Sequence, residues 1–178
     1  MLRKFRSWFD RGGEDDLLFE PQVVTIKARV YHLRKMSTDD IDAALDLERR
    51  IYAETPWDRV AFISELRKTA HSLYVVAETE DGQLAAYVGC WFSKDEAHIT
   101  NIAVSPVFQH QGLGRFLMQE MIDRAIASGA AKMTLEVRTD NVVAQALYHA
   151  LGFKDGKIKK GYYVAHHEDA MDMWLPLN

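Results

Sequence analysis

The sequence predicts a mixed α/β (α+β) fold, a mostly antiparallel central sheet flanked by helices, and three observations lead there. Residues 72–78 and 84–93 are apolar, strand-forming runs separated by Glu80-Asp81-Gly82-Gln83, and Asp-Gly between such runs signals a hairpin. Residues 97–104 form a further strand that empties through Pro106 and a glycine-bearing loop into the helical rhythm Leu113, Phe116, Leu117, Met121. Residues 132–138 then alternate with period two and lead into Ala144, Leu147, Tyr148 and Leu151, whose i, i+3, i+4, i+7 spacing is that of one helix face.

In chain order, the first eleven residues are basic, with Arg3, Lys4, Arg6 and Arg11, and place Leu2, Phe5, Trp8 and Phe9 where one helical face would gather them. Glu14, Asp15, Asp16 and Glu20 then counter the charge. So short an isolated helix is marginal in water, so residues 1–22 are expected to be a mobile extension, or one that packs its aromatics on the domain, and residues 23–178 a single domain. No apolar run of secretory-signal length follows the basic start. Residues 23–33 read as one first strand, with Val24, Ile26, Ala28, Val30 and His32 on one face. Ser37 or Thr38 caps a helix that runs to Tyr52, with Asp39 and Asp40 in the first turn, where the helix dipole favours acids. Asp58 caps a second helix carrying Val60, Ile63 and Leu66. The helix that begins at Gly112 stops at Gly129, a residue suited to a left-handed C-terminus. Asn141 starts the last helix, Gly152 ends it, and residues 153–163 and 170–175 supply a closing pair of strands.

A chain of 178 residues can bury a substantial core, and 48% apolar with 27% charged residues is the balance of a soluble globular protein. The longest apolar runs fall far short of a transmembrane segment. A net charge of −4 gives no electrostatic reason to bind nucleic acid and suits a basic peptide or protein partner better. The lone Cys90 cannot close an internal disulfide, which fits a reducing cytoplasm; inside an apolar strand it reads as packing and not as a nucleophile.

The loop Gln109-His110-Gln111-Gly112-Leu113-Gly114-Arg115 carries chemistry as well as punctuation. Glycine lets a backbone approach a ligand, and a helix start offers unpaired N–H groups at the positive end of the dipole, so the loop can hold an anion. An ordinary turn and cap would use the same glycines. Two phosphate motifs are excluded by missing parts: a Walker loop needs Gly-Lys-Ser/Thr where this chain has Gly114-Arg115-Phe116, and a dinucleotide fingerprint needs an early strand and an acid about 20 residues on.

What remains resembles the pyrophosphate loop of the GNAT acyltransferases, Arg/Gln-x-x-Gly-x-Gly/Ala, here Gln109 to Gly114. The resemblance continues in order through Leu135-Glu136-Val137-Arg138-Thr139-Asp140-Asn141, Ala144, Leu147-Tyr148, Gly152-Phe153, Tyr162-Tyr163 and Glu168-Asp169-Ala170. This set is similar to the RimI-type enzymes, which acetylate the terminal alanine of a small-subunit ribosomal protein, and covers residues 28–175. The resemblance implies a GNAT fold splayed at its central strand, acetyl-CoA as co-substrate with no metal, and the N-terminus of an acceptor protein or peptide, ribosomal and cytoplasmic. A monomer or weak dimer is expected.

The resemblance also implies roles. Ile102, Ala103 and Val104 would offer a backbone donor to the acetyl carbonyl; Gln109, His110, Gln111, Gly112, Leu113, Gly114 and Arg115 would hold the pyrophosphate, and Asn141 would reach the pantetheine or phosphate side. Glu136 would receive the ammonium proton, directly or through water, and the Tyr148 hydroxyl would approach the coenzyme sulfur. Trp57, Glu136, Arg138, Tyr162, Tyr163 and Glu168 would meet the acceptor, with Tyr52 to Trp57 as an acceptor loop. Without the resemblance, Glu136 is a strand-face acid paired with Arg138 or Lys132, while Tyr148 and Trp57 are core. Gln109 and His110 depart from the arginine and glycine of many relatives, which removes one charge but leaves the N–H donors. His166-His167-Glu168-Asp169 imitates a metal cluster yet lacks the i, i+4 spacing of helical ligands.

The acceptor's ionisation narrows the chemistry. An α-amine of pKa near 7.7–8.0 is about one-tenth neutral at pH 7, a lysine about one-thousandth or less, so an N-terminus asks less of its base. A phenol near 10 protonating a thiolate near 8.5 is uphill by roughly 2 kcal/mol, which favours a hydrogen bond over free proton transfer. Two other functions fit the loop: acetylation of a polyamine or antibiotic amine, and a non-catalytic acyl-CoA-binding module recruiting a partner through the N-terminal extension. A pure binding module needs neither Glu136 nor Tyr148, so their joint presence argues against it.

Overall fold

The computed structural model describes residues 15–52, 57–163 and 168–178. Strands β1 (Gln22–Ile26), β2 (Arg29–Lys35), β3 (Ser72–Thr79), β4 (Leu84–Phe92), β5 (Glu96–Val104), β6 (Lys132–Arg138), β7 (Lys154–Tyr163) and β8 (Glu168–Pro176) form one sheet in the order β1-β2-β3-β4-β5-β6-β8-β7. Only β5 and β6 run parallel, because helix α3 (Leu113–Ser128) crosses over between them. Helices α1 (Ile41–Ile51) and α2 (Arg59–Arg67) precede β3, and α4 (Val142–Ala150) follows β6.

Helices on both faces explain why β3 and β4 read as unbroken apolar runs and not as alternating ones. Tyr74, Val76 and Tyr87 point to one face and pack with Ile41, Leu47 and Phe62 from α1 and α2. Leu73, Val75 and Val88 point to the other and pack with Leu117, Met118 and Met121 from α3, in a cluster that also takes Met133, Leu135 and Tyr148. Cys90 is fully buried there, and burial pushes its thiol above the ordinary value, so it is packing, as expected.

Two expectations at the N-terminal end need correction. The single strand over residues 23–33 is a hairpin: β1 and β2 pair antiparallel around Lys27 and Ala28, whose φ angles of 46° and 67° give the left-handed two-residue turn that suits a hairpin. Two turn residues exchange the faces, so Tyr31 and Leu33, not Val30 and His32, are buried. The expected mobile extension reached residue 22, yet its described part lies on the domain. Leu17 and Phe19 are buried, Leu17 N–H donates to Thr69 O at 2.7 Å, and the Arg124 guanidinium stacks 4.6 Å from the Phe19 ring centroid. Residues 1–14, with the basic segment and its aromatics, lie outside the described residues.

The sheet parts at its centre. β5 pairs with β6 only from Glu96↔Lys132 to Ile99↔Leu135, after which both strands continue without a shared ladder. The cause is local to β5. Opposite β4 its register shifts, with Cys90 facing Ile99 and Gly89 facing Asn101, so Thr100 is an extra residue. Such a bulge bends and twists its strand, and this one sits where pairing with β6 stops. Gly89 makes room for it, since a Cβ there would run into the Tyr74 ring and lie 2.7 Å from Asn101 Oδ1.

Candidate active site

The parting of β5 and β6 opens a cleft of about 1160 Å³. Its walls are Ile102, Ala103 and Val104 of β5, the loop residues Gln109, His110, Gly112, Gly114 and Arg115, Arg138 at the end of β6, and Asn141, Leu147 and Tyr148 of the last helix. Most of the expected coenzyme residues thus converge on one space. Gln111 and Leu113 are not among its walls: the Gln111 side-chain amide donates to Val107 O at 3.2 Å, and the Leu113 side chain is buried in the core. The Gln109 side chain is also turned inward, donating to Val104 O at 2.9 Å.

The start of α3 leaves backbone donors without a side-chain partner. Gly112, its N-cap, has φ 88°, and no side chain caps the helix. By contrast α2 is capped by Asp58, which accepts from Ala61 N–H at 2.8 Å, and α4 by Asn141, which accepts from Ala144 N–H at 3.1 Å. α1 also lacks a capping side-chain hydrogen bond, but of the two helix starts on the cleft, those of α3 and α4, that of α3 is the uncapped one, so its first-turn donors are left for the space with the helix dipole behind them. His110, which stands where many relatives carry glycine, takes φ 60° and lines the cleft.

Glu136 faces the α1 side of the sheet and is gripped from both flanks. His98 Nε2 lies 2.9 Å from Oε2, and Lys159 Nζ lies 3.2 Å from Oε1. The His98 hydrogen bond, with Lys159 adding to it, holds this carboxylate below the usual glutamate range although burial opposes the shift. The partners expected from sequence are engaged elsewhere. Arg138 forks onto Asp140 at 3.0 and 2.9 Å and reaches Glu168 at 3.5 Å, while Lys132 pairs with Glu96 at 3.6 Å. Lys159 also contacts Asp172, 3.2 Å away on β8.

Two phenols, Tyr148 and Tyr52, line the cleft. Tyr148 is buried with its ring 5.9 Å from Phe153, and burial raises its pKa, so at neutral pH it keeps its proton available to donate. Tyr52 at the end of α1 lines the same cleft, pushed up to about 12 by burial. Tyr163 is likewise pushed up to about 12, chiefly by burial; it meets Tyr162 edge-to-face at 5.1 Å and Arg138 at 5.9 Å. Trp57 does not reach the cleft. Its ring packs on Phe62 at 5.2 Å and Tyr74 at 6.0 Å, the core position its size allows. The rest of its expected acceptor loop, residues 53–56, and His166-His167 lie outside the described residues. Among the described residues no group of three His, Cys, Asp or Glu is arranged to hold a metal ion.

Sequence reasoning missed His98, Lys159 and Asp172 around Glu136. Period two in β5 sets Glu96 and His98 on one face, and the parallel register sets them opposite Lys132 and Thr134, with Glu136 two residues further on the same face, but that register follows only from the crossover. It also missed a buried polar chain behind the cleft. Glu48 of α1 accepts from the Tyr87 hydroxyl, Asn101 donates to the same oxygen at 3.2 Å, and the bulged Thr100 joins Tyr74 at 2.7 Å.

The model of the Acetyltransferase (GNAT) family matches residues 38–153. The chain belongs to the GNAT acetyltransferase family. Full-length relatives agree. The [ribosomal protein bS18]-alanine N-acetyltransferase of Salmonella typhimurium is 39% identical over 145 residues, 80% of this chain and 95% of its own. Its Escherichia coli namesake is 37% identical over 148 residues, 82% of this chain and 97% of its own. The crystal structure of the ribosomal-protein-S18-alanine N-acetyltransferase from Escherichia coli superposes with a TM-score of 0.73 over 83% of this chain and 94% of that one. This GNAT chain is accordingly an acetyl-CoA-dependent N-acetyltransferase. Its cleft fits the co-substrate. An uncapped helix start suits a pyrophosphate, and the inner edge of β5 beyond Ile99, unpaired with β6, suits amide groups of an extended chain.

Proposed function

We propose that this GNAT enzyme acetylates the N-terminal α-amine of a ribosomal protein, with alanine as first residue, in the cytoplasm. The observation that carries the reading is 37–39% identity across four-fifths of the chain to enzymes named for that reaction. The site supports it, because Tyr52 and Arg138 line the open cleft and the Arg138 guanidinium also meets Tyr163 and Glu168.

Acetyl-CoA supplies the thioester carbonyl and the thiolate that leaves. The first-turn N–H groups of α3 hold its diphosphate, and the free edge of β5 near Ile102 to Val104 offers a backbone donor to the carbonyl oxygen, where charge develops. Glu136 receives a proton from the acceptor ammonium, directly or through water. Tyr148, kept protonated by burial, donates a hydrogen bond toward the departing sulfur. Glu168, 3.5 Å from Arg138, and the Tyr162–Tyr163 pair flank the path by which a peptide's positive end approaches Glu136.

The test is an intact-mass assay with acetyl-CoA against peptides beginning with Ala, Ser, Gly and Met, with spermine and an internal-lysine peptide beside them. The Ala peptide should gain one acetyl group fastest. Modification of spermine or lysine alone would discard the ribosomal reading.

A further inference from the structure

The donors and acceptors around Glu136 do not balance for a carboxylate working alone. β5 sets His98 opposite Thr134 of β6, and Glu136 follows two residues later on the same face. His98 Nδ1 lies 2.7 Å from Thr134 Oγ1, and Nε2 lies 2.9 Å from Glu136 Oε2. Thr134 has one hydroxyl proton and gives it to Glu96 Oε1, for an ionised carboxylate can only accept. Nδ1 must therefore carry a hydrogen and donate it to Thr134. In the neutral imidazole that leaves the lone pair of Nε2 facing Oε2 across 2.9 Å, a contact that becomes favourable only when one proton lies between them. The other carboxylate oxygen, Oε1, is already occupied by Lys159 at 3.2 Å.

Resting on the N-acetyltransferase reading above, we propose that His98 is a positioning residue acting through Glu136, so that the base is the Glu136–His98 pair and takes the acceptor's proton as a unit. The ammonium N–H bond breaks, the proton crosses Glu136 Oε2, and the bond that forms is N–H at His98 Nε2. The electron pair left on the amine nitrogen attacks the acetyl carbonyl. The imidazolium then returns its proton to solvent, to which the His98 side chain is 29% open. Glu96 and Thr134 fix the ring so that Nε2 meets the carboxylate. The downward pull of His98 on the carboxylate belongs to the form in which Nε2 carries a hydrogen, the form the pair reaches once it has taken the proton.

Turnover then follows ionisation of the pair and not of the carboxylate alone. The groups facing the pair are Glu96 on β5, Lys132 and Arg138 on β6, Lys159 and Tyr162 on β7, and Asp172 on β8. Lys132 is bound to Glu96, Arg138 to Asp140 and Glu168, and Lys159 to Asp172, so each cation is already matched by an acid.

The experiment compares wild type, His98→Gln and Thr134→Val on an Ala-starting peptide from pH 6 to 9.5 at saturating acetyl-CoA. His98→Gln should lose roughly ten- to a hundredfold in kcat at pH 7, with the peptide KM little changed, and the gap should close as the amine arrives neutral. Thr134→Val, which keeps the imidazole but frees the ring, should show a smaller loss of the same pH shape. A loss in His98→Gln that is constant across pH, or that falls on KM, overturns the proposal. A second readout needs no acceptor: imidazole ¹⁵N NMR of the wild type at pH 9 should find His98 with its hydrogen on Nδ1. The opposite tautomer would make His98 a plain donor to Glu136 and overturn the relay. If wild type acetylates no peptide, the parent reading fails, and the tautomer still judges the pair.

Discussion

Gly112 and Gly129 stand at opposite ends of α3 with nearly the same backbone, φ 88° and 84°, and this symmetry allows the anion site to be weighed. Placing an L-residue in the left-handed region costs roughly 1–2 kcal/mol, so Gly112→Ala and Gly129→Ala should destabilise the fold about equally. In a chain of this size that is a drop in Tm of about 2–8 °C each. Steric cost adds little at either position: a Cβ at Gly112 would lie 3.5 Å from Ile26 Cγ2, an ordinary contact, and one at Gly129 would meet nothing within 4 Å. The coenzyme should tell them apart. A methyl at Gly112 stands where the first-turn amides meet the diphosphate, and losing one hydrogen bond to a charged group, about 1.5–3 kcal/mol, weakens acetyl-CoA binding roughly ten- to a hundredfold. Gly129→Ala should bind as wild type does. Calorimetry with acetyl-CoA, beside thermal unfolding of both variants, makes the comparison. Equal affinities at equal loss of Tm would remove Gly112 from the coenzyme site.

Glu136→Gln should lose most activity near neutrality and regain roughly twentyfold relative to wild type between pH 6.5 and 9.5, as an α-amine of pKa near 7.8 goes from about 5% to nearly all neutral. Tyr148→Phe lacks a donor to sulfur and should stay depressed throughout; single-turnover rates that rise in parallel would mean that one of the two roles is misassigned. Burial raises the Glu48 carboxyl, with the Tyr87 hydroxyl working against the shift. Its contribution to stability is therefore whole below the ordinary glutamate pKa of about 4.3 and is lost as pH rises toward the raised value. Urea melts at pH 4.5 and 7.5 should find Glu48→Gln faring better, relative to wild type, at the higher pH, and a pH-independent difference would mean that Glu48 is ionised in the fold.

Much of the fold was legible because it rests on local signals. Asp81-Gly82 marked the β3–β4 hairpin, the glycine loop marked the start of α3, and the stripe through Tyr148 marked α4. The β1–β2 turn was not legible, because Lys27 and Ala28 carry positive φ without glycine or asparagine to announce it. The backbone of the coenzyme site could be read from the loop and the residues before it, since one chain segment supplies most of it. The surroundings of Glu136 could not. His98, Lys159 and Asp172 come from three other strands, and their meeting depends on the placement of β8 between β6 and β7. Leu17 and Phe19 were lost in an acidic stretch whose charge suggested solvent, while two buried side chains decided the matter.

The parting of β5 and β6 has a consequence for how this protein keeps company. A bare strand edge at the rim of a sheet invites any other sheet to zip onto it, which is why rims are guarded by charge; β7, one of the two rim strands here, carries Lys154, Lys157, Lys159 and Lys160. An edge in the middle of the sheet needs no such guard. The strands on either side enclose it within the molecule's own sheet. The molecule can leave hydrogen-bonding groups on offer for every catalytic cycle at a place flanked by its own strands, and not at the rim where another sheet would dock.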